Sequence, residues 1–250
     1  MKNSMFLKIR NNSLDISHIK AVIFDMDGTL VETEHLWAEA KRNVAQTLGV
    51  TVTEKVLQQY VGRGLNDFIN DLLSPKDQKH RLALNLKMQE HALANYAATL
   101  RVINGAPTLL QAFASAGLRI AICSSGSLQA IAISLKALNA TDIVEVVVSG
   151  DTIATGKPHP LPYLQTLEQL NVAAKDAIVF EDTLAGLKSA TAAGIATMIV
   201  GEQPENPVFA SATLITPRLQ DFRFFQVRFK RAPQVCIRQS TEHVAPKYLH

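Results

Sequence analysis

Short apolar runs at 21–25, 119–123, 144–148, 177–181 and 196–200, with a weaker one at 213–216, take turns with helix-patterned segments along most of the chain. That alternation limits the fold more than any other feature. Strands that read as continuous apolar runs are covered on both faces, and strands that alternate with helices build a parallel sheet. Helical spacing fills the intervals near 106–116, 127–138, 160–170 and 183–193. Gly117 and Gly194 stand just past two of these segments, where a left-handed helix cap is common. The expectation is an α/β fold with a doubly wound parallel sheet.

One interval breaks the rhythm. From about 33 to 100 only helical signals appear. Leu57, Tyr60 and Val61 belong to one helix, and Leu72 and Leu73 close another. Ser74-Pro75 predicts a further helix start, with Pro in the first helical position, and Leu82, Leu86, Leu93, Tyr96 and Leu100 then recur at helical spacing. About seventy residues of helix is too much for a single crossover. We therefore expect an inserted small α-helical cap at 34–100, joined through linkers near 32–34 and 101–105 to an α/β core at 18–33 and 101–226. Residues 1–17 read as an N-terminal extension and 227–250 as a basic tail.

Charge supports that division. Residues 218–250 hold Arg218, Arg223, Arg228, Lys230, Arg231, Arg238 and Lys247 against Asp221 and Glu242, a net +5. The whole chain is +3, so residues 1–217 carry −2. A nucleic-acid-binding tail is one reading, but no aromatic-interleaved basic module of known type stands there, so a solvated and partly disordered extension is expected. With 47% hydrophobic and 19% charged residues the chain reads as an ordinary globular protein with a substantial core. Cys123 lies in an apolar run and reads as buried. Two cysteines, Cys123 and Cys236, make no disulfide framework, which points to a reducing cytoplasm. The apolar stretch in Met1–Lys8 is too short for a secretory signal, and no run reaches the length of a membrane span.

The chemistry is concentrated where strands end. Residues 20–30 read Lys-Ala-Val-Ile-Phe-Asp-Met-Asp-Gly-Thr-Leu. Asp25 closes the first strand at the edge where open α/β sheets place ligands, Asp27 follows two residues later, and Gly28 permits a sharp bend. Two acids this close repel unless a cation or proton lies between them, and a divalent metal beside a nucleophilic carboxylate resolves the conflict. Ser124 and Ser125 follow the second strand and offer hydroxyls and N–H donors at a helix start. Gly156 and Pro158 fix the backbone around Lys157, whose ammonium can neutralise a phosphate oxygen and a carboxylate together. Glu181 and Asp182 close another strand and would reach the same sheet edge as Asp25, with hard oxygens that suit Mg²⁺. Taken singly, each piece has a bland reading: a serine helix cap, a surface lysine in a turn, an aspartate capping the next helix. His159 reads as a loop histidine outside the site.

In this order, the four segments resemble the motifs of the haloacid dehalogenase superfamily over about residues 20–200. The helical insert resembles the cap of the subgroup that includes β-phosphoglucomutase and many sugar-phosphate phosphatases, and Gly62-Arg63 in Tyr-Val-Gly-Arg-Gly resembles a cap loop that contributes to substrate choice there. The resemblance implies a Rossmann-like core and a phosphatase acting on a small phosphorylated metabolite such as a sugar phosphate. It implies that Asp25 attacks phosphorus and becomes an aspartyl-phosphate, and that Asp27 protonates the leaving alcohol and then activates water. Ser124, Ser125 and Lys157 would hold phosphoryl oxygens and Arg63 the substrate. Asp25, the backbone carbonyl of Asp27, and Asp182 would bind Mg²⁺ with Glu181 assisting.

Two positions depart from the pattern. Leu161 stands where many relatives have Asp, at a helix start. Trp37 stands near the point where mutase members carry a His, and an indole cannot relay a proton in that way, which favours hydrolysis. A phosphohexomutase is the alternative within the same chemistry. A catalytically silent regulatory or scaffold protein, with the tail binding a partner or nucleic acid, is the alternative from another class, and the intact set of Asp25, Asp27, Ser124, Lys157 and Asp182 argues against it. No membrane or nucleic-acid partner is expected, and oligomeric state is open, with a monomer as the working expectation.

Overall fold

A computed structural model describes residues 3–9, 12–201 and 207–228 of the chain. Strands β1 (Asn3–Ile9) and β2 (Asn12–Asp15) precede the central strand β3 (Ala21–Phe24), and a short β4 (Val31–Glu32) leads into the insert. The insert comprises α1 (Glu34–Thr47), α2 (Glu54–Gln58), α3 (Leu65–Leu72), α4 (Gln78–Leu93) and α5 (Tyr96–Thr99). The chain returns through β5 (Arg101–Val102), α6 (Ala106–Ser115), β6 (Arg119–Ser124), α7 (Leu128–Ala137), β7 (Val144–Ser149) and α8 (Leu161–Leu170). It finishes with β8 (Ala177–Glu181), α9 (Leu184–Ala192), β9 (Ala196–Val200), β10 (Leu214–Thr216) and β11 (Arg223–Arg228).

Six strands form a parallel sheet in the order β10-β9-β8-β3-β6-β7. Strand β3 lies between β6 and β8, with Phe24 opposite both Ile122 and Phe180. The chain winds outward from β3 through β6 and β7, then crosses to β8 on the other side. The carboxyl ends of β3, β6 and β8 thus flank the switch point, where such sheets open a crevice.

Side chains alternate between the two faces of each strand. On one face Val22, Phe24, Ile120, Ile122, Ile178 and Phe180 pack against Leu110 and Phe113 of α6. Phe24 and Phe180 stack there with centroids 4.9 Å apart. On the other face Ala21, Ile23, Ala121, Cys123 and Val179 meet Tyr163 and Leu167 of α8 and Ala190 of α9. The insert has an apolar centre of its own, built from Leu36, Val44, Phe68, Ile69, Met88 and Tyr96 among others. The two linkers do not run separately: β4 and β5 pair antiparallel, Val31 opposite Val102 and Glu32 opposite Arg101.

The structure corrects several local expectations. Helix α4 starts at Gln78 and not at Ser74-Pro75: the Asp77 side chain accepts from the His80 N–H at 2.7 Å and caps it, while Ser74 takes a left-handed turn at φ 44°. A capping carboxylate satisfies an orphan N–H, which proline at the first position does not. Leu82 and Leu86 are 59% and 50% exposed, because the buried face of α4 carries Leu84, Met88 and Ala92 instead. Tyr60 and Val61 lie in the turn beyond α2. The N-terminal extension and the start of the basic segment supply β1, β2 and β11, which form a three-stranded antiparallel sheet in the order β11-β1-β2. Its Leu7 and Ile9 are buried in the same core as Phe24. The tail from 229 onward, including Cys236, lies outside the described residues. Among the described residues no helix is long and apolar enough to cross a membrane.

Candidate active site

The acidic end of β3 is held by its neighbour: the Asp25 N–H donates to the Phe180 carbonyl at 2.9 Å. Beyond it Gly28 adopts φ 85°, and a Cβ there would lie 2.0 Å from Asp182 Oδ2. Only glycine lets the loop after β8 come this close. Thr29 Oγ1 donates to Asp182 Oδ1 at 3.1 Å and fixes the carboxylate. Asp182 does not cap the following helix, because Thr183 does so by accepting from the Gly186 N–H at 3.0 Å. Asp25, Glu181 and Asp182 each present a carboxylate oxygen within 4.8 Å of the others.

Lys157 is no surface lysine. It is 1% exposed, and its ammonium donates to Asp25 Oδ1 at 2.5 Å, to Glu181 Oε1 at 2.6 Å and to the Cys123 carbonyl at 2.9 Å. Burial alone would lower its pKa, but the Asp25 and Glu181 carboxylates reverse that, and the group stays charged well above the usual lysine range. Burial drives the Asp25 carboxyl well above its usual range, against the pull of Lys157. The buried Cys123 thiol is pushed up to about 12, mainly by burial.

Glu181 is fully buried and fully engaged. Its Oε1 also accepts from Tyr163 OH at 2.8 Å, and its Oε2 accepts from the Asp182 and Thr183 N–H groups and from Thr183 Oγ1 at 3.1–3.2 Å. A Cβ on Gly186 would fall 1.8 Å from this carboxylate. Sequence reading missed Tyr163, since a tyrosine on the apolar face of a helix looks like core, and its hydroxyl partner is distant in the chain.

Asp27 sits in a ring of donors. Trp37 Nε1 donates to its Oδ1 at 3.1 Å, Thr33 Oγ1 contacts the same oxygen, and Ser124 Oγ donates to Oδ2 at 3.3 Å. Ser124 Oγ in turn accepts from the Gly126 N–H at 2.9 Å. Ser125 lines the same cavity, but its hydroxyl donates to the Gly62 carbonyl of the insert at 3.0 Å. A Cβ on Gly62 would lie 2.5 Å from Thr183 Oγ1, so the insert meets the core at close range on both sides of the crevice. Arg63 also lines the cavity, and its guanidinium is paired with Asp67 at 3.1 Å and Asp71 at 3.4 Å and rests 4.9 Å from the Tyr60 ring centre. Asp25, Asp27, Ser124 and Lys157 face it from the core side.

The donor set fits a hard divalent cation. Asp25 Oδ2 and Asp182 Oδ2 accept no hydrogen bond from any described residue, while their other oxygens are bound by Lys157 and Thr29. Two desolvated carboxylates with oxygens to spare, beside a third acid, repel each other until a cation joins them. Burial and the nearby Asp25 raise the Asp182 pKa well above its ordinary value, as that repulsion requires.

Comparison with known proteins agrees with this geometry. The model of a family described as haloacid dehalogenase-like hydrolase matches residues 22–200. A phosphorylated carbohydrates phosphatase from Thermotoga maritima is 33% identical over 179 residues, covering 71% of this chain and 82% of that protein. A phosphoglycolate phosphatase from Nitrosospira multiformis is 30% identical over 184 residues, covering 70% and 80%. The crystal structure of CbbY from Rhodobacter sphaeroides in complex with phosphate superposes with a TM-score of 0.72 at 26% identity, over 81% of this chain and 95% of that one.

Proposed function

This chain belongs to the haloacid dehalogenase-like hydrolase family and is a phosphatase, a phosphoric monoester hydrolase, and from that premise we propose that it removes phosphate from a small phosphorylated metabolite through an aspartyl-phosphate on Asp25. The observation that carries the reading is the convergence on one sheet edge of Asp25 with Lys157 at 2.5 Å and with Asp182 in the same acidic cluster.

Each residue has a task that its surroundings explain. One carboxylate oxygen of Asp25 attacks phosphorus as the ester P–O bond breaks, while the other is left to the cation. Lys157, held by Glu181 and Tyr163, lies against the nucleophile and neutralises charge on the phosphoryl oxygens. Asp27, oriented by Thr33 and Trp37, gives its proton to the leaving alcohol. It then takes a proton from the water that cleaves the aspartyl-phosphate and releases phosphate. Ser124 contributes a hydroxyl on the same side. Asp25 and Asp182, with the backbone carbonyl of Asp27, would hold Mg²⁺, which when bound supplies positive charge to the phosphoryl group. Glu181, with both oxygens committed to protein donors, positions Lys157 and supports the cluster from behind. Arg63 belongs to the cap wall that meets the leaving group. Trp37 supports hydrolysis over phosphoryl transfer between sugar positions.

The test is release of phosphate from p-nitrophenyl phosphate, with and without Mg²⁺, by the natural chain and by Asp25→Asn. Loss of at least about a thousandfold in the variant is expected. Equal rates in the two proteins would reject the assignment.

A further inference from the structure

Lys41 lies on the buried face of α1 and is 3% exposed, yet its ammonium has a single described hydrogen bond, to the Tyr60 carbonyl at 3.3 Å. No carboxylate among the described residues lies within 4.0 Å of it. Its side chain lines the same cavity as Asp25, Asp27 and Ser124. A buried ammonium with three donors and no anionic partner is costly, and proteins tolerate it where something else supplies the charge.

The other cavity cations differ. Lys157 is committed to Asp25 and Glu181 and Arg63 to Asp67 and Asp71, while Arg81, which has no ion pair among the described residues, is only half-buried and can be balanced by water. Glu34, also on the cavity wall, precedes Lys41 by two helical turns and forms no ion pair with it. Burial lowers the Lys41 pKa below the usual lysine value, against the attraction of Glu34 and Asp27.

Position along the helix sets the distance to the chemistry. Trp37 precedes Lys41 by one turn on the same face, and its indole touches Asp27, the residue assigned to the leaving oxygen. At the backbone Lys41 therefore stands one helical turn, about 6 Å along the axis, beyond Trp37. We propose that Lys41 is a specificity-determining residue that receives a second acidic group on the leaving alcohol, so that the substrate is a phosphomonoester whose carbon chain also carries a carboxylate or another phosphate. This rests on the phosphatase reading above and names the substrate class of that site. A neutral hydroxyl would leave the desolvated cation unbalanced, whereas an anionic oxygen completes it.

The test uses the full chain with Mg²⁺ and three probes: glucose 6-phosphate, with a neutral leaving group, 6-phosphogluconate, with a carboxylate, and fructose 1,6-bisphosphate, with a second phosphate. The natural chain should favour one of the acidic probes over glucose 6-phosphate by about tenfold or more in kcat/KM, and which one wins identifies the acid. Lys41→Met should lower that ratio about ten- to hundredfold, chiefly through KM, and Lys41→Arg should retain most of it. A natural chain that prefers glucose 6-phosphate overturns the inference while leaving the phosphatase reading in place, and needs no variant to fold. A folded Lys41→Met protein with an unchanged ratio does the same. No hydrolysis of any of the three probes while p-nitrophenyl phosphate is still cleaved overturns the inference and leaves the phosphatase reading in place, whereas no cleavage of p-nitrophenyl phosphate either overturns both. Calorimetric titration of 6-phosphogluconate into Asp25→Asn, with and without Lys41→Met, reads the same contact without turnover. Unchanged affinity there counts against the inference if 6-phosphogluconate is the preferred probe.

Discussion

The indole N–H of Trp37, from the first helix of the insert, donates to Asp27 Oδ1 of the core at 3.1 Å. A residue of the insert thus orients the carboxylate proposed to handle the proton of the leaving alcohol. Trp37→Phe keeps the ring and removes the donor. It should lower kcat about two- to tenfold, the net worth of one hydrogen bond. With β-glucose 1-phosphate as substrate, phosphorus NMR should show inorganic phosphate. Glucose 6-phosphate as the main product would contradict the hydrolytic assignment.

Lys157 is shared by two buried carboxylates. Lys157→Met strands both, which should destabilise the protein by about 3–5 kcal/mol in a denaturant titration and abolish turnover. Lys157→Arg should not restore activity, because a planar guanidinium cannot fit a point-charge site with three acceptors around it.

Two glycines mark places where a carboxylate presses on backbone. A methyl group at Gly186 would meet the Glu181 carboxylate at 1.8 Å, and one at Gly28 would meet Asp182 Oδ2 at 2.0 Å. Gly186→Ala should cost about 2–4 kcal/mol and shift Lys157, since Glu181 must leave its five donors. Gly28→Ala should raise the Mg²⁺ concentration needed for half-maximal activity at least about tenfold, because it displaces Asp182, the proposed ligand, directly. Normal metal dependence in Gly28→Ala would argue against Asp182 as a ligand.

Asp182 couples stability to pH and, as the proposed ligand, to metal. Its folded-state pKa is raised, chiefly by desolvation, so without metal the folded protein binds more protons than the unfolded chain above the ordinary carboxylate value of 3.8. Its contribution to stability is complete below that value and is lost as pH rises through the folded-state pKa. Metal-free Asp182→Asn should therefore gain in Tm relative to the natural chain as pH is raised from about 4 toward neutrality. Saturating Mg²⁺ should stabilise the natural chain at neutral pH and leave Asp182→Asn nearly unmoved. An identical Mg²⁺ shift in both proteins would remove Asp182 from the metal site.

The core was legible in sequence because its signals are local. Each central strand is a short apolar run whose last residue or successor is the chemical group, so Asp25, Ser124, Glu181 and Asp182 could be placed on one edge before any coordinates. What escaped notice depends on partners far apart in the chain. Strand β11 pairs with β1 across more than two hundred residues, Phe6 opposite Phe225, and neither has the unbroken apolar run that betrayed the central strands. Tyr163 and Lys41 escaped for a related reason. Spacing shows that a residue faces inward, but not that a carboxylate or an open cavity awaits it there. On α4 the periodicity misled, since Leu82 and Leu86 fit a helical stripe and face water.

The antiparallel pairing of Val31 with Val102 and Glu32 with Arg101 makes the two crossings between core and insert a single ribbon. Two independent tethers would let the helical body drift sideways. A ribbon resists sideways bending, so Trp37 and Lys41, carried on one helix just beyond it, are held to the sheet edge through a single joint. The residue proposed to read the far end of the substrate and the contact to the proposed proton donor therefore share one attachment to the core.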